Sequence, residues 1–135
     1  MNLVETLRDF MLTPAPSGYE SEMAYKLADR LKPLCDDVQI DHVGNVIGKI
    51  AGTGSGLPTA MVFAHIDQLG FIVRRVEADG YLQVDRLGGI PEKVLPALKL
   101  SVRSEDGTWH TGVFGPKAHH ATPAEEKYKV DLVTS

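Results

Sequence analysis

Six uncharged residues, Thr59-Ala60-Met61-Val62-Phe63-Ala64, run directly into His65-Ile66-Asp67. A run this short, without the 3.6-residue alternation of a surface helix, predicts a strand buried on both faces. Such a strand needs neighbours on either side and a layer over each face, so it constrains the fold more than any other stretch. The chain has 135 residues, enough for one compact domain but short for a large two-sided α/β core. The run therefore fits equally well as the centre of a sheet that this chain supplies only in part.

The flanking patterns divide in two. Asn2 stands three residues before Glu5, the spacing of a capping box. Leu3, Val4, Leu7, Phe10 and Met11 then share one helical face, which predicts a short amphipathic helix ended by Pro14 and Pro16. Ser17-Gly18-Tyr19-Glu20 repeats the capping-box spacing ahead of Met23, Ala24, Leu27, Leu31 and Leu34, predicting a longer second helix. Val38 and Ile40, then Val46 and Ile50, flank Gly44-Asn45 and read as a hairpin. After Asp67 the pattern changes to short extended segments around Phe71–Val76, Tyr81–Asp85, Lys99–Val102 and Trp109–Phe114. They are separated by Asp79-Gly80, Gly88-Gly89 and Asp106-Gly107. Helices followed by short hairpins indicate an α/β chain in two structural parts, with the boundary near residues 68–71. The final Val130-Asp131-Leu132-Val133 reads as a strand with no partner after it.

Charge and cysteine usage narrow the function classes. Lys and Arg number 14 against 18 Asp and Glu, a formal net charge of −4, so no overall field draws nucleic acid or an anionic membrane to the chain. The first twelve residues are interrupted by Glu5, Arg8 and Asp9 and lack the apolar core of a signal peptide or membrane span. Cys35 is the only cysteine, which excludes an intrachain disulfide and points to a reducing, cytoplasmic location.

Chemistry concentrates at His65 and Asp67. In a strand, residues two apart project to the same side. An imidazole that binds Zn²⁺ through one nitrogen donates the other N–H to a carboxylate, which fixes its tautomer. His65-x-Asp67 fits that pair, and it fits a structural histidine with a satisfied ring as well. His119-His120 follows Gly115-Pro116-Lys117 in a polar loop, readable as a metal pair or as solvated histidines, while His42 and His110 are expected on strand faces. Glu125-Glu126 after Pro123 suits the first turn of a helix, where acids meet the positive end of the dipole. Gly52-Thr53-Gly54-Ser55-Gly56 precedes a strand and lacks a phosphate-loop Lys-Ser/Thr, so it reads as a turn. Cys35 reads as packing, and Trp109 as the cover of a small barrel core.

Several ordered motifs together resemble the glutamyl and deblocking aminopeptidases, dinuclear zinc or cobalt metallopeptidases of which some were formerly labelled endoglucanases. They are Pro16-Ser17-Gly18-Tyr19-Glu20, Asp41-His42-Val43-Gly44-Asn45, Ala64-His65-Ile66-Asp67-Gln68-Leu69-Gly70-Phe71, Gly88-Gly89-Ile90 and Gly115-Pro116-Lys117-Ala118-His119-His120. The resemblance implies an N-terminal part of an α/β metallopeptidase domain over residues 1–69. Residues 70–135 would then form part of a small β-barrel-like insertion domain. It implies His65 as a metal ligand and Asp67 as the acid that orients it, at a site for two divalent ions, zinc or cobalt, that activate water and stabilise developing negative charge. It also implies peptide substrates trimmed at the N-terminus and assembly into a homo-oligomer. Gln68 stands where the family usually has an acid, and His119-His120 replaces its Pro-His segment. The bridging aspartate, the Glu-Glu pair that includes the base and the later ligands have no counterpart here, and Glu125-Glu126 matches the Pro-x-Glu-Glu of the insertion instead. The chain is thus expected to correspond to the first third or so of such an enzyme, as a truncated product or fragment, and to be inactive alone. The alternative is a noncatalytic interaction or assembly module built on unpaired strand edges.

Overall fold

The computed structural model describes residues 2–54, 56, 58–115, 120 and 122–125. That limit divides the pairs His119-His120 and Glu125-Glu126, since His119 and Glu126 lie outside it, as does Val130–Val133. Two helices, three antiparallel hairpins and one short 3₁₀ helix make up the described elements, a mixed α/β architecture. The chain separates into two compact units, residues 1–88 and 89–135.

In the first unit, α1 spans Leu3–Met11, and the Asn2 side chain accepts from the backbone N–H of Val4 and Glu5, as its capping position predicts. α2 spans Ser21–Leu31 and buries Met23, Ala24 and Ala28. The two helices are fastened by Asp9, whose carboxylate receives Lys26 Nζ at 2.8 Å and Arg30 Nη2 at 3.2 Å. α2 starts later than the expected capping box. Its N-cap is Glu20 without a side-chain cap bond, because Glu20 instead accepts from the Gly18 N–H at 2.7 Å and Ser17 is engaged elsewhere. Gly18 takes φ +88°, a left-handed turn that a side chain would oppose.

β1 (Asp37–Ile40) and β2 (Val46–Lys49) form the expected hairpin, with Ile40 opposite Val46. Asp41 closes it by accepting from the N–H of Val43 and Asn45 and from the Asn45 amide. His42 therefore sits in the hairpin turn and not on a strand face. β3 (Gly70–Val76) pairs with β4 (Leu82–Leu87), and a register shift falls between Val73 and Arg75.

Thr59–Ala64 stand outside these hairpins. These residues join no ladder among the described residues and are exposed throughout, with Met61 80%, Val62 98% and Phe63 85% accessible. Composition marks a segment that favours burial, but only neighbouring strands can supply the hydrogen bonds and cover that make it a buried strand.

In the second unit, β5 (Lys99–Arg103) pairs with β6 (Trp109–Val113) in unbroken register. A 3₁₀ turn over Glu92–Val94 leads to Leu95, which is 2% exposed. β3–β4 and β5–β6 are separate two-stranded sheets, so no closed barrel is present among the described residues. Trp109 is 48% exposed.

Candidate functional site

His65 and Asp67 come together within the first unit. The ring Nδ1 lies 2.8 Å from Asp67 Oδ1 and 3.1 Å from the Asp67 backbone carbonyl oxygen. A carbonyl oxygen only accepts, so Nδ1 is the donor, and in the neutral ring the lone pair is then on Nε2. The described residues give Nε2 no hydrogen-bond partner, and the His65 side chain is 85% exposed.

The second carboxylate oxygen of Asp67 receives the Ser17 hydroxyl at 2.6 Å. Ser17 reaches it because Pro16 and Gln68 form a parallel bridge, with the Gln68 N–H donating to Ala15 O at 2.7 Å. Gly70 makes the approach possible: a Cβ there would stand 2.8 Å from Pro16 Cβ. The Gln68 amide also reaches the carbonyls of Phe10 and Met11 at 3.4 and 3.5 Å, at the end of α1. The neutral residue noted at this position thus has a structural partner. The Ser17 hydroxyl, and after it the His65 ring, hold the Asp67 carboxyl below its ordinary pKa by stabilising the charged form.

His65 and Asp67 edge an open trough of about 1270 Å³, walled by α2, the β1–β2 hairpin and residues 59–67. Among the described residues, no group of three or more His, Cys, Asp and Glu side chains converges as a metal site would require. The residues present fit one corner of such a site, a single imidazole with one nitrogen tied to acceptors and the other open. Elsewhere, His110 Nε2 lies 3.2 Å from Ser104 Oγ within the β5–β6 hairpin, and Cys35 packs over Gly48, where a Cβ would stand 2.7 Å from its sulfur. Ser17 is the site member that sequence patterns misassigned, since its spacing to Glu20 suggested a helix cap and its partner lies 50 residues away.

Comparison with solved structures defines the class: the fold is one part of an aminopeptidase-type α/β architecture. A TET aminopeptidase from a marine-sediment Thaumarchaeota archaeon superposes with a TM-score of 0.84 at 29% identity, over 96% of this chain and 36% of that one. A TET1 peptidase from Pyrococcus horikoshii, which can assemble into a tetrahedron or a large octahedral shell, gives 0.73 at 27% identity, over 99% of this chain and 37% of its own. The chain belongs to the M42 glutamyl aminopeptidase family, whose members are dinuclear metallopeptidases, and the family profile matches residues 44–134. Among curated relatives, the lysyl aminopeptidase of Pyrococcus furiosus is 37% identical over 86% of this chain and 33% of its own length. The chain spans about a third of the length of the relatives it matches.

Proposed function

We propose that this chain carries the first metal-ligand corner of a metal-dependent aminopeptidase that removes N-terminal residues from peptides in its full-length form, and that the chain alone is inactive. The observation that carries this reading is the His65–Asp67 pair, with Nδ1 bound to acceptors and Nε2 open, in a chain of the M42 family. In it His65 Nε2 is a ligand to one of two divalent ions, zinc or cobalt, and Asp67 is the acid that orients the ring and raises its basicity. The ions, when bound, supply water activation and charge stabilisation at the peptide carbonyl. The protein's own contribution here is to hold the ring: Asp67 fixes the proton on Nδ1, and the Pro16–Gln68 bridge fixes Asp67.

Under the same reading, residues 1–69 belong to the catalytic α/β domain and residues 70–135 to a β-barrel-like insertion. Assembly into a homo-oligomer is proposed from the shells formed by the Pyrococcus horikoshii relative. A cytoplasmic location is proposed from the single cysteine, and no helix among the described residues is long and apolar enough to cross a membrane.

The test is peptidase assay of the full-length form before and after chelation. Loss on chelation, return with zinc or cobalt, and loss in His65→Ala are expected; full activity of His65→Ala would overturn the assignment. Asp67→Asn is expected to weaken metal affinity by about 10–100-fold, read by competition with a chromogenic chelator.

One observation favours a second reading, a noncatalytic assembly module: the exposure of Met61, Val62 and Phe63. An unpaired apolar segment recruits a strand from another chain. A stable complex between this chain and a separately expressed complementary segment supports it, and a monomer that binds no apolar dye opposes it.

A further inference from the structure

His65 rests on Asp67, and Asp67 rests on Ser17. The His65 ring is exposed and Asp67 is 41% exposed, so packing leaves both free to turn. What restrains the carboxylate is its two hydrogen bonds, one oxygen to His65 Nδ1 at 2.8 Å and the other to Ser17 Oγ at 2.6 Å. A carboxylate held at one oxygen swings about χ1 and χ2, whereas one held at both is fixed in plane and direction. Ser17 is itself held by backbone on either side: Pro16 bridges Gln68, and the Tyr19 N–H donates to Pro16 O at 2.8 Å.

We infer that Ser17 is a positioning residue for His65: its hydroxyl locks the Asp67 carboxylate in the one orientation that keeps the ring proton on Nδ1 and directs the Nε2 lone pair outward. This rests on the metal-ligand reading of His65 and extends it to a residue on a separate segment of chain. It also explains the order Pro16-Ser17-Gly18. Pro16 docks against Gly70, Ser17 donates to Asp67, and Gly18 at φ +88° turns the chain away into α2.

The test uses the 135-residue chain without metal and reads the His65 ring nitrogens by long-range ¹⁵N–¹H correlation, together with the Asp67 χ1 rotamer by three-bond couplings. The wild-type chain is expected to show a protonated Nδ1, an unprotonated Nε2 and a single Asp67 rotamer. Ser17→Ala should average the rotamer and shift the ring nitrogens toward exchange between both tautomers. Ser17→Thr, which keeps the hydroxyl, should restore the wild-type signature. Should Ser17→Ala fail to fold, Ser17→Cys keeps the volume with a weak donor and is read in its place.

If Asp67→Asn alters the ring nitrogens while Ser17→Ala and Ser17→Cys leave them as in wild type, Ser17 has no positioning role, although the His65–Asp67 pairing stands. If neither Asp67→Asn nor Asp67→Ala changes them, the Asp67 backbone carbonyl at 3.1 Å holds the ring proton by itself, and the carboxylate, with Ser17 behind it, has no positioning role. In the full-length form, Ser17→Ala should weaken zinc affinity by up to about tenfold, less than the loss at Asp67 because it acts one bond further out. Equal affinity of Ser17→Ala and wild type for zinc would overturn the proposal.

Discussion

Gly70 allows Pro16 to lie where a side chain would otherwise stand, since a methyl group at that position would sit 2.8 Å from Pro16 Cβ. The proline ring is stiff, so Gly70→Ala must push the Pro16 segment away. A cost of about 1–3 kcal/mol is expected for this overpacking, read as a lower denaturant midpoint, with loss of the single Asp67 rotamer as a second consequence. Asp9, Asp41, Asp67 and Asp106 share another property: each carboxyl is held below its ordinary pKa by hydrogen bonds, led respectively by Lys26, Asn45, Ser17 and Ser104. The unfolded chain therefore binds protons at higher pH than the folded one, and stability rises with pH across that interval. Their contribution is complete above the ordinary aspartate value of about 3.9 and is lost as pH falls through the lower folded values. A urea midpoint that stays constant from about pH 6 down to about pH 3 would contradict this. For exposed carboxylates such as these, screening keeps the effect small, and added salt should reduce the part due to Lys26 and Arg30.

Between helices and hairpins, the evident contrast is α1. It has an N-cap bonded at 3.1 Å to the Val4 N–H and no buried residue, so local terms weigh more in it than in α2. Asn2→Ala is expected to cost about 1 kcal/mol, and hydrogen exchange should show α1 amides opening faster while those of α2 and the β1–β2 hairpin keep their rates. In the second unit Leu95 is the side chain that closes the local core. Leu95→Ala should cost that unit about 2–5 kcal/mol, measured by the exchange of β5 and β6 amides. The hairpins were legible because turn chemistry and strand alternation are local: Asp79-Gly80 and Asp106-Gly107 turn with Gly80 at φ +90° and Gly107 at φ +86°. The start of α2 was not, because Ser17 has two possible uses and a partner 50 residues away decides between them.

Across the full chain, the exposed run at Met61–Phe63 separates two environments for the same residues. Val62 is 98% exposed, so Val62→Lys should change the stability of this chain by no more than about 0.5 kcal/mol and lower its binding of an apolar dye. In the full-length form, where we propose the run lies within a covered sheet, the same substitution would bury an ammonium without a partner and destabilise severely. A full-length Val62→Lys protein as stable as wild type would remove the run from that sheet.

Helix and hairpin positions, the punctuation between them and the nomination of His65 and Asp67 came from the amino-acid order, because capping, periodicity, turn preference and an i, i+2 pairing act over a few residues. Other features required the tertiary structure. These were the Ser17–Asp67 bond, the fastening of Gln68 to the end of α1 and the absence of ladder partners for Thr59–Ala64 among the described residues. Each depends on groups far apart in sequence meeting or failing to meet, and a hydrogen bond or a buried face exists only when its partner arrives.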